Sequence, residues 1–177
     1  VGFVTALARI VQDNVASGNS QVGFMLVPGD NKDTAFRRNS AIGNAGPGAI
    51  VATLDRQPRR ALFRNNFFGN DRDRPSLSLS QLLEPLPPTS PPTNLNAGPS
   101  AHCGVLNVGL VPQDTYNPLP PPPPIATLEA ANNFWGSVSG PQPIGAGDAA
   151  GGVCAQNASV TLTDPFASAP FPIIPMP

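Results

Sequence analysis

The chain has 177 residues, 40% of them apolar, which is enough to bury a core and excludes disorder as the starting assumption. Only 12% are charged and the formal net charge is -1, so composition offers no basic field for nucleic acid and no polybasic patch for an acidic membrane. No apolar run approaches the ~18–20 residues of a membrane span, and the opening segment, interrupted by Arg9, lacks the basic start of a signal peptide.

In chain order, Val1-Gly2-Phe3-Val4 reads as a short apolar strand. A spaced pattern follows, Val11, Asn14, Ala16 and Asn19, in which apolar residues alternate with Asn. Gly23-Phe24-Met25-Leu26 is the next strand; the spaced pattern returns as Phe36, Asn39, Ala41 and Asn44, and the strand returns as Gly48-Ala49-Ile50-Val51. A third copy reads as Phe63, Asn66 and Phe68, with Asn70 and Asp71 sharing the last place. The spacing is about 25 residues, too short for two packed helices and without the Leu-rich consensus of a horseshoe repeat.

Stacked β-coils are left, and residues 1–75 are expected to form their rungs. Equivalent residues of successive copies then lie about 4.8 Å apart, one above the other. Asn tolerates the left-handed conformation of a sharp corner, and stacked amides hydrogen-bond along a column. Asn14, Asn39 and Asn66 are expected to form one such ladder, and Asn19, Asn44 and Asn70 another. A single repeat cannot offset the entropy of ordering its own backbone, so each needs neighbours and the terminal ones need caps. Because the chain opens on an apolar strand in mid-pattern, its first rung is expected to stack on an upstream solenoid or on another protein.

Residues 76–127 break the period. They contain Pro85-Leu86-Pro87-Pro88, Pro91-Pro92 and the run Pro120 to Pro124, which lack the backbone donors a sheet requires and are expected to lie outside the coil as a Pro-rich insertion. Within it, Ser76 to Ser80 alternates like a strand, and Gly104 to Leu110 is an apolar stretch able to rejoin the coil. The two cysteines, Cys103 and Cys154, are too few for a zinc site; they read as one disulfide, closing a loop for about 3–4 kcal/mol in an oxidising compartment, or as two buried thiols.

The pattern reappears more weakly as Ala130, Asn133 and Trp135, and residues 128–177 read as a closing rung with a C-terminal cap and tail. Asn132-Asn133-Phe134-Trp135-Gly136-Ser137, Ser139-Gly140-Pro141, Gly145-Ala146-Gly147-Asp148-Ala149, Val153-Cys154 and Val160 to Phe166 together resemble the closing rung of bacterial right-handed parallel β-helix repeat proteins. That family shows an Asn-Asn-Trp/Phe-Trp-Gly, a Gly-Pro, a Gly-Asp and a last strand ending in Pro-Phe or Pro-Trp. The resemblance implies an all-β chain, the C-terminal portion of a right-handed parallel β-helix, or solenoid. It covers about a quarter of the sequence closely, and the Pro-rich insertion departs from it. Phe134 and Trp135 are large enough to plug the end of the coil.

Candidate chemistry is sparse. β-helix enzymes acting on polysaccharides set acidic residues on adjacent rungs to share Ca²⁺ or divide acid and base roles. Asp30 and Asp55 stand about one period apart with Asp33, Arg56, Arg59 and Arg60 nearby, the kind of basic surround that holds a uronate; a solvated turn is their ordinary use. Asp71 and Asp73 offer half of a Ca²⁺ site at most. His102 has no partner that would mark a triad, and no nucleophile elbow, phosphate loop or HExxH is present. The expected function is a non-catalytic structural or adhesive solenoid, extracellular, on the cell surface or periplasmic, with no cofactor or, at most, Ca²⁺. The alternatives are part of a carbohydrate-active enzyme that binds polysaccharide, or an accessory subunit of a membrane-associated complex.

Overall fold

A computed structural model describes residues 1–5, 9–26, 35–54, 60–71, 103–110, 126–141, 152–156 and 159–173. Among these the protein is all-β, with parallel sheets and no helix, an arrangement consistent with a parallel β solenoid. The strands are β1 (Phe3–Thr5), β2 (Ile10–Gln12), β3 (Val15–Ser17), β4 (Phe24–Leu26), β5 (Ala35–Arg37), β6 (Ser40–Ile42), β7 (Ala49–Leu54), β8 (Arg60–Phe63), β9 (Asn66–Phe68), β10 (Cys103–Leu110), β11 (Ala126–Glu129), β12 (Gly152–Gln156) and β13 (Ser159–Leu162).

They pair into three sheets, with orders β1-β4-β7-β10-β12, β2-β5-β8-β11-β13 and β3-β6-β9. Every pairing is parallel, and consecutive copies of the sequence pattern meet residue on residue, for example Val11 with Phe36 and Ala16 with Ala41. Although β10 lies within the segment read as an insertion, it pairs with β7 on one side and β12 on the other.

The third copy takes a different register from the one read in the sequence. Phe36 stands over Leu62, not Phe63, and Ser40 stands over Asn66. Because alternate residues of a strand face opposite ways, this one-residue difference exchanges inside for outside. The copy is therefore Leu62, Asn65, Phe67 and Asn70; Asn65, not Asn66, continues the column of Asn14 and Asn39.

Packing follows from that register. Phe24, Phe36, Phe67 and Trp135 are fully buried and meet in series, with ring centroids 5.0, 6.3 and 5.4 Å apart. Ala16, Ala41, Leu62, Val105, Leu128 and Ala130 fill the rest of this interior. Trp135 alone plugs the end. Its neighbour Phe134, read as a second plug, is half-buried and packs edge-on against Phe68, since adjacent extended residues point to opposite sides. The sheet containing β4, β7 and β10 is buried on both faces, with Met25, Ile50, Leu106 and Cys154 forming a second cluster. Two-sided burial accounts for the uninterrupted apolar runs of these strands.

Gly48 is required by close approach. A Cβ there would lie 2.5 Å from the Gly104 carbonyl oxygen and 2.8 Å from Asn70 Nδ2. Gly48→Ala is expected to destabilise the protein by about 1–3 kcal/mol through forced separation of adjacent strands. Gly18→Ala, where nothing lies within 4 Å but φ is 62°, should cost only the left-handed backbone strain of about 1–2 kcal/mol. Urea unfolding of the two variants checks the order.

Candidate functional site

Two columns of corner residues organise the surface. Asp13, Arg38, Arg64 and Asn132 have φ of 59, 53, 55 and 57°, and Gly18, Gly43 and Gly69 have 62, 63 and 65°. Each immediately precedes a buried or half-buried Asn, which the turn directs into the stack. In the first ladder Asn14 Nδ2 donates to Asn39 Oδ1 at 3.0 Å, Asn39 Nδ2 to Asn65 Oδ1 at 3.4 Å, and Asn65 Nδ2 to Asn133 Oδ1 at 2.9 Å. In the second, Asn19 donates to Asn44 at 2.7 Å and Asn44 to Asn70 at 2.8 Å.

Each acceptor oxygen also takes the backbone N–H of the Asn in the preceding copy. The amides of Asn39, Asn44, Asn65 and Asn70 reach back to the carbonyls of Val11, Ala16, Phe36 and Ala41. Buried amides that satisfied are worth far more than exposed ones, because leaving any of them unpaired in a low dielectric is costly. Asn66 serves a different contact. Its side chain accepts from Phe171 N–H at 2.9 Å and donates to the Phe171 carbonyl at 3.0 Å, holding the tail against the third sheet.

On the outer corner, Arg38 and Asp13 form an exposed ion pair at 2.6 Å. The hydrogen bond from Arg38 holds the Asp13 carboxyl below the usual carboxylate range, aided by the positive charges of Arg38 and Arg37. A lowered folded-state pKa contributes stability above the ordinary carboxylate pKa, and that contribution is lost as pH falls through the lowered value. For an exposed pair the stability effect is small. The expected observation is an Asp13 carboxyl titration midpoint by NMR that moves up toward the ordinary value in Arg38→Gln.

Further along the same corner lies an open cleft of 860 Å³, lined by Phe63, Arg64, Asn132, Phe166, Ala167, Ser168, Ala169 and Phe171. Arg64 is exposed and the rings of Phe63, Phe166 and Phe171 are partly accessible, so the cleft presents apolar faces beside a guanidinium. No carboxylate occurs among its described lining residues. Sequence reasoning missed this cleft, because its members come from three distant segments and share no periodic signal.

Of the residues singled out in the sequence, Asp30, Asp33, Asp55, Arg56, Arg59, Asp73, His102 and the Pro runs lie outside the described residues. Asp71 is fully buried, and its Oδ2 accepts the Cys103 N–H at 3.1 Å while its own N–H reaches the carbonyls of Asn44 and Gly46. It anchors the start of β10. Among the described residues no three His, Cys, Asp or Glu side chains gather as metal ligands. Cys103 and Cys154 form a disulfide, with Cα atoms 5.7 Å apart, between the adjacent strands β10 and β12. No helix among the described residues is long and apolar enough to cross a membrane. No family model, no curated protein and no solved structure matches the chain.

Proposed function

We propose that the chain is a right-handed parallel β-helix that works as a non-catalytic structural or adhesive scaffold outside the cytoplasm. The observation that carries this reading is the unbroken amide ladder Asn14–Asn39–Asn65–Asn133, which commits these four side chains to holding successive repeats in register. Right-handedness is supported by the general rule that parallel strands joined by a crossover wind that way in about 98% of cases. The disulfide supports an oxidising compartment, extracellular, surface or periplasmic.

Carbohydrate binding is the second reading, favoured by the cleft with Phe63, Phe166, Phe171 and Arg64. Aromatic faces stack on sugar rings and a guanidinium pairs with uronate carboxylates. Incubation with uronic-acid polysaccharides, with and without Ca²⁺, separates the two. The scaffold reading expects neither new reducing ends nor unsaturated uronate absorbance. Turnover that disappears in Asp30→Asn with Asp55→Asn would replace it with an enzyme. Retention on the polysaccharide without turnover, weakened at least about tenfold by Arg64→Gln, would assign the adhesive contact to the cleft.

A further inference from the structure

The two Asn ladders have a direction. In both, each Oδ1 faces the preceding copy and takes two donors from it, a backbone N–H and a side-chain amide. Asn133 receives the same pair from Asn65. At the other end of the stack, Asn14 and Asn19 occupy equivalent positions, and among the described residues nothing donates to their Oδ1 atoms. Both are only half-buried.

The same end leaves apolar surface uncovered. Phe3 stacks on Phe24 at 5.1 Å but is 41% exposed, whereas Trp135 closes the opposite end of the aromatic series at 0%. Val4, Ile10 and Val15, in β1, β2 and β3, are exposed as well, and these three strands are the edges of the three sheets.

We infer that this end is a docking surface for one further turn of parallel β-chain that carries Asn-x4-Asn over Asn14 and Asn19 and Gly over Gly2. The inference rests on the stacked-repeat reading above. The Asn requirement follows from the vacant acceptors, which need amide and backbone donors arriving at the spacing of Asn14 and Asn19. The Gly requirement follows from the glycine column: a Cβ on Gly2 would meet the Gly23 carbonyl at 2.7 Å, and one on Gly23 would meet the Gly48 carbonyl at 2.5 Å. An occupant's residue above Gly2 faces the Gly2 carbonyl in the same way.

A second copy of this chain does not meet these requirements. Two identical ends brought together oppose acceptor to acceptor. Nor does the far end of a copy fit, since the Asn133 amide is already committed to the carbonyls of Leu62, Ala130 and Ala131, and the tail lies across it through Ala167 N–H to Asn133 and Asn132 N–H to Pro165. Recognition is thus set by hydrogen-bond polarity as well as by apolar area.

The test fuses the chain's own repeat, the sequence from Gly23 to Pro47, directly before Gly2 of the full chain, and follows amide hydrogen exchange. With the fusion, protection of the β2 and β3 amides and of the Asn14 and Asn19 backbone N–H groups should rise at least about tenfold over the parent chain. A control fusion in which the added copies of Asn39 and Asn44 are Ala should lose that gain. Equal protection from both fusions, or none from either, overturns the inference. Sedimentation of the parent chain as a dimer that dissociates on Phe3→Glu with Val4→Glu would make the occupant a second copy and overturn it too. Failure of the underlying reading looks different: the amides of β5 and β6 in the parent chain would then exchange as freely as those of an unfolded chain, whatever is fused.

Discussion

Replacing Asn65 by Leu should lower stability by about 3–6 kcal/mol, since a buried side chain similar in size removes four hydrogen bonds and supplies none. The Asn39 N–H and the Phe36 carbonyl lose this partner inside the stack, at about 1–3 kcal/mol for each stranded group, and the Asn133 Oδ1 keeps only the Asn65 N–H of its two donors. At roughly 2–4 °C per kcal/mol for a chain of this size, thermal unfolding should move down by about 10–20 °C. The adjacent variant Asn66→Leu keeps the ladder and loses only the tail clamp at Phe171 and the contact with Ser40. It is expected to cost about 1–3 kcal/mol and to deprotect the Phe171 amide selectively. A reversed order of the two variants in calorimetry would show that the ladder passes through Asn66 after all.

The second large effect is expected at the disulfide. Cys103 and Cys154 are separated by 51 residues, and a loop of that length confines the unfolded chain by about 4 kcal/mol in the chain-entropy model. Cys103→Ala with Cys154→Ala should therefore lower the midpoint of urea unfolding strongly while leaving the circular dichroism of the folded state unchanged. Both cysteines are buried, with residue exposures of 0 and 5%, so a mild reductant should cut the bond slowly in buffer and quickly in denaturant. Unchanged stability in the double variant would mean that the segment between the cysteines is already confined when the rest of the chain unfolds.

The all-β class and the repeat were legible because corners demand particular residues. The recurring Asn carried that signal, but the left-handed residue at each corner is the one before it, Asp13, Arg38, Arg64, Asn132 or a Gly, and not the Asn itself as read in the sequence. The register of the third copy was harder to read, because Phe63 and Phe68 are apolar and Asn65-Asn66 and Asn70-Asp71 are tandem pairs, so two frames overlap. Only the frame starting at Leu62 places Asn at both ladder positions, Asn65 and Asn70, with the spacing of the earlier copies. Phe134 and Trp135 pose the same difficulty, two aromatics side by side of which a strand can bury one inside. The cleft was illegible for a different reason. Phe63, Asn132 and Phe171 are brought together by pairings across long stretches of chain, which no local pattern encodes.

The clamp between Asn66 and Phe171 spans 105 residues of sequence. A ribosome adding about 5–20 residues per second needs roughly 5–20 s to travel from one to the other. Throughout that interval the amide of Asn66 holds only the Ser40 hydroxyl, and until Phe134 is made the outer edge of β9 is open to whatever passes. Chaperone occupancy and mispairing during biosynthesis should therefore concentrate at this edge, and slowing translation downstream of β9 should lengthen the exposure in proportion.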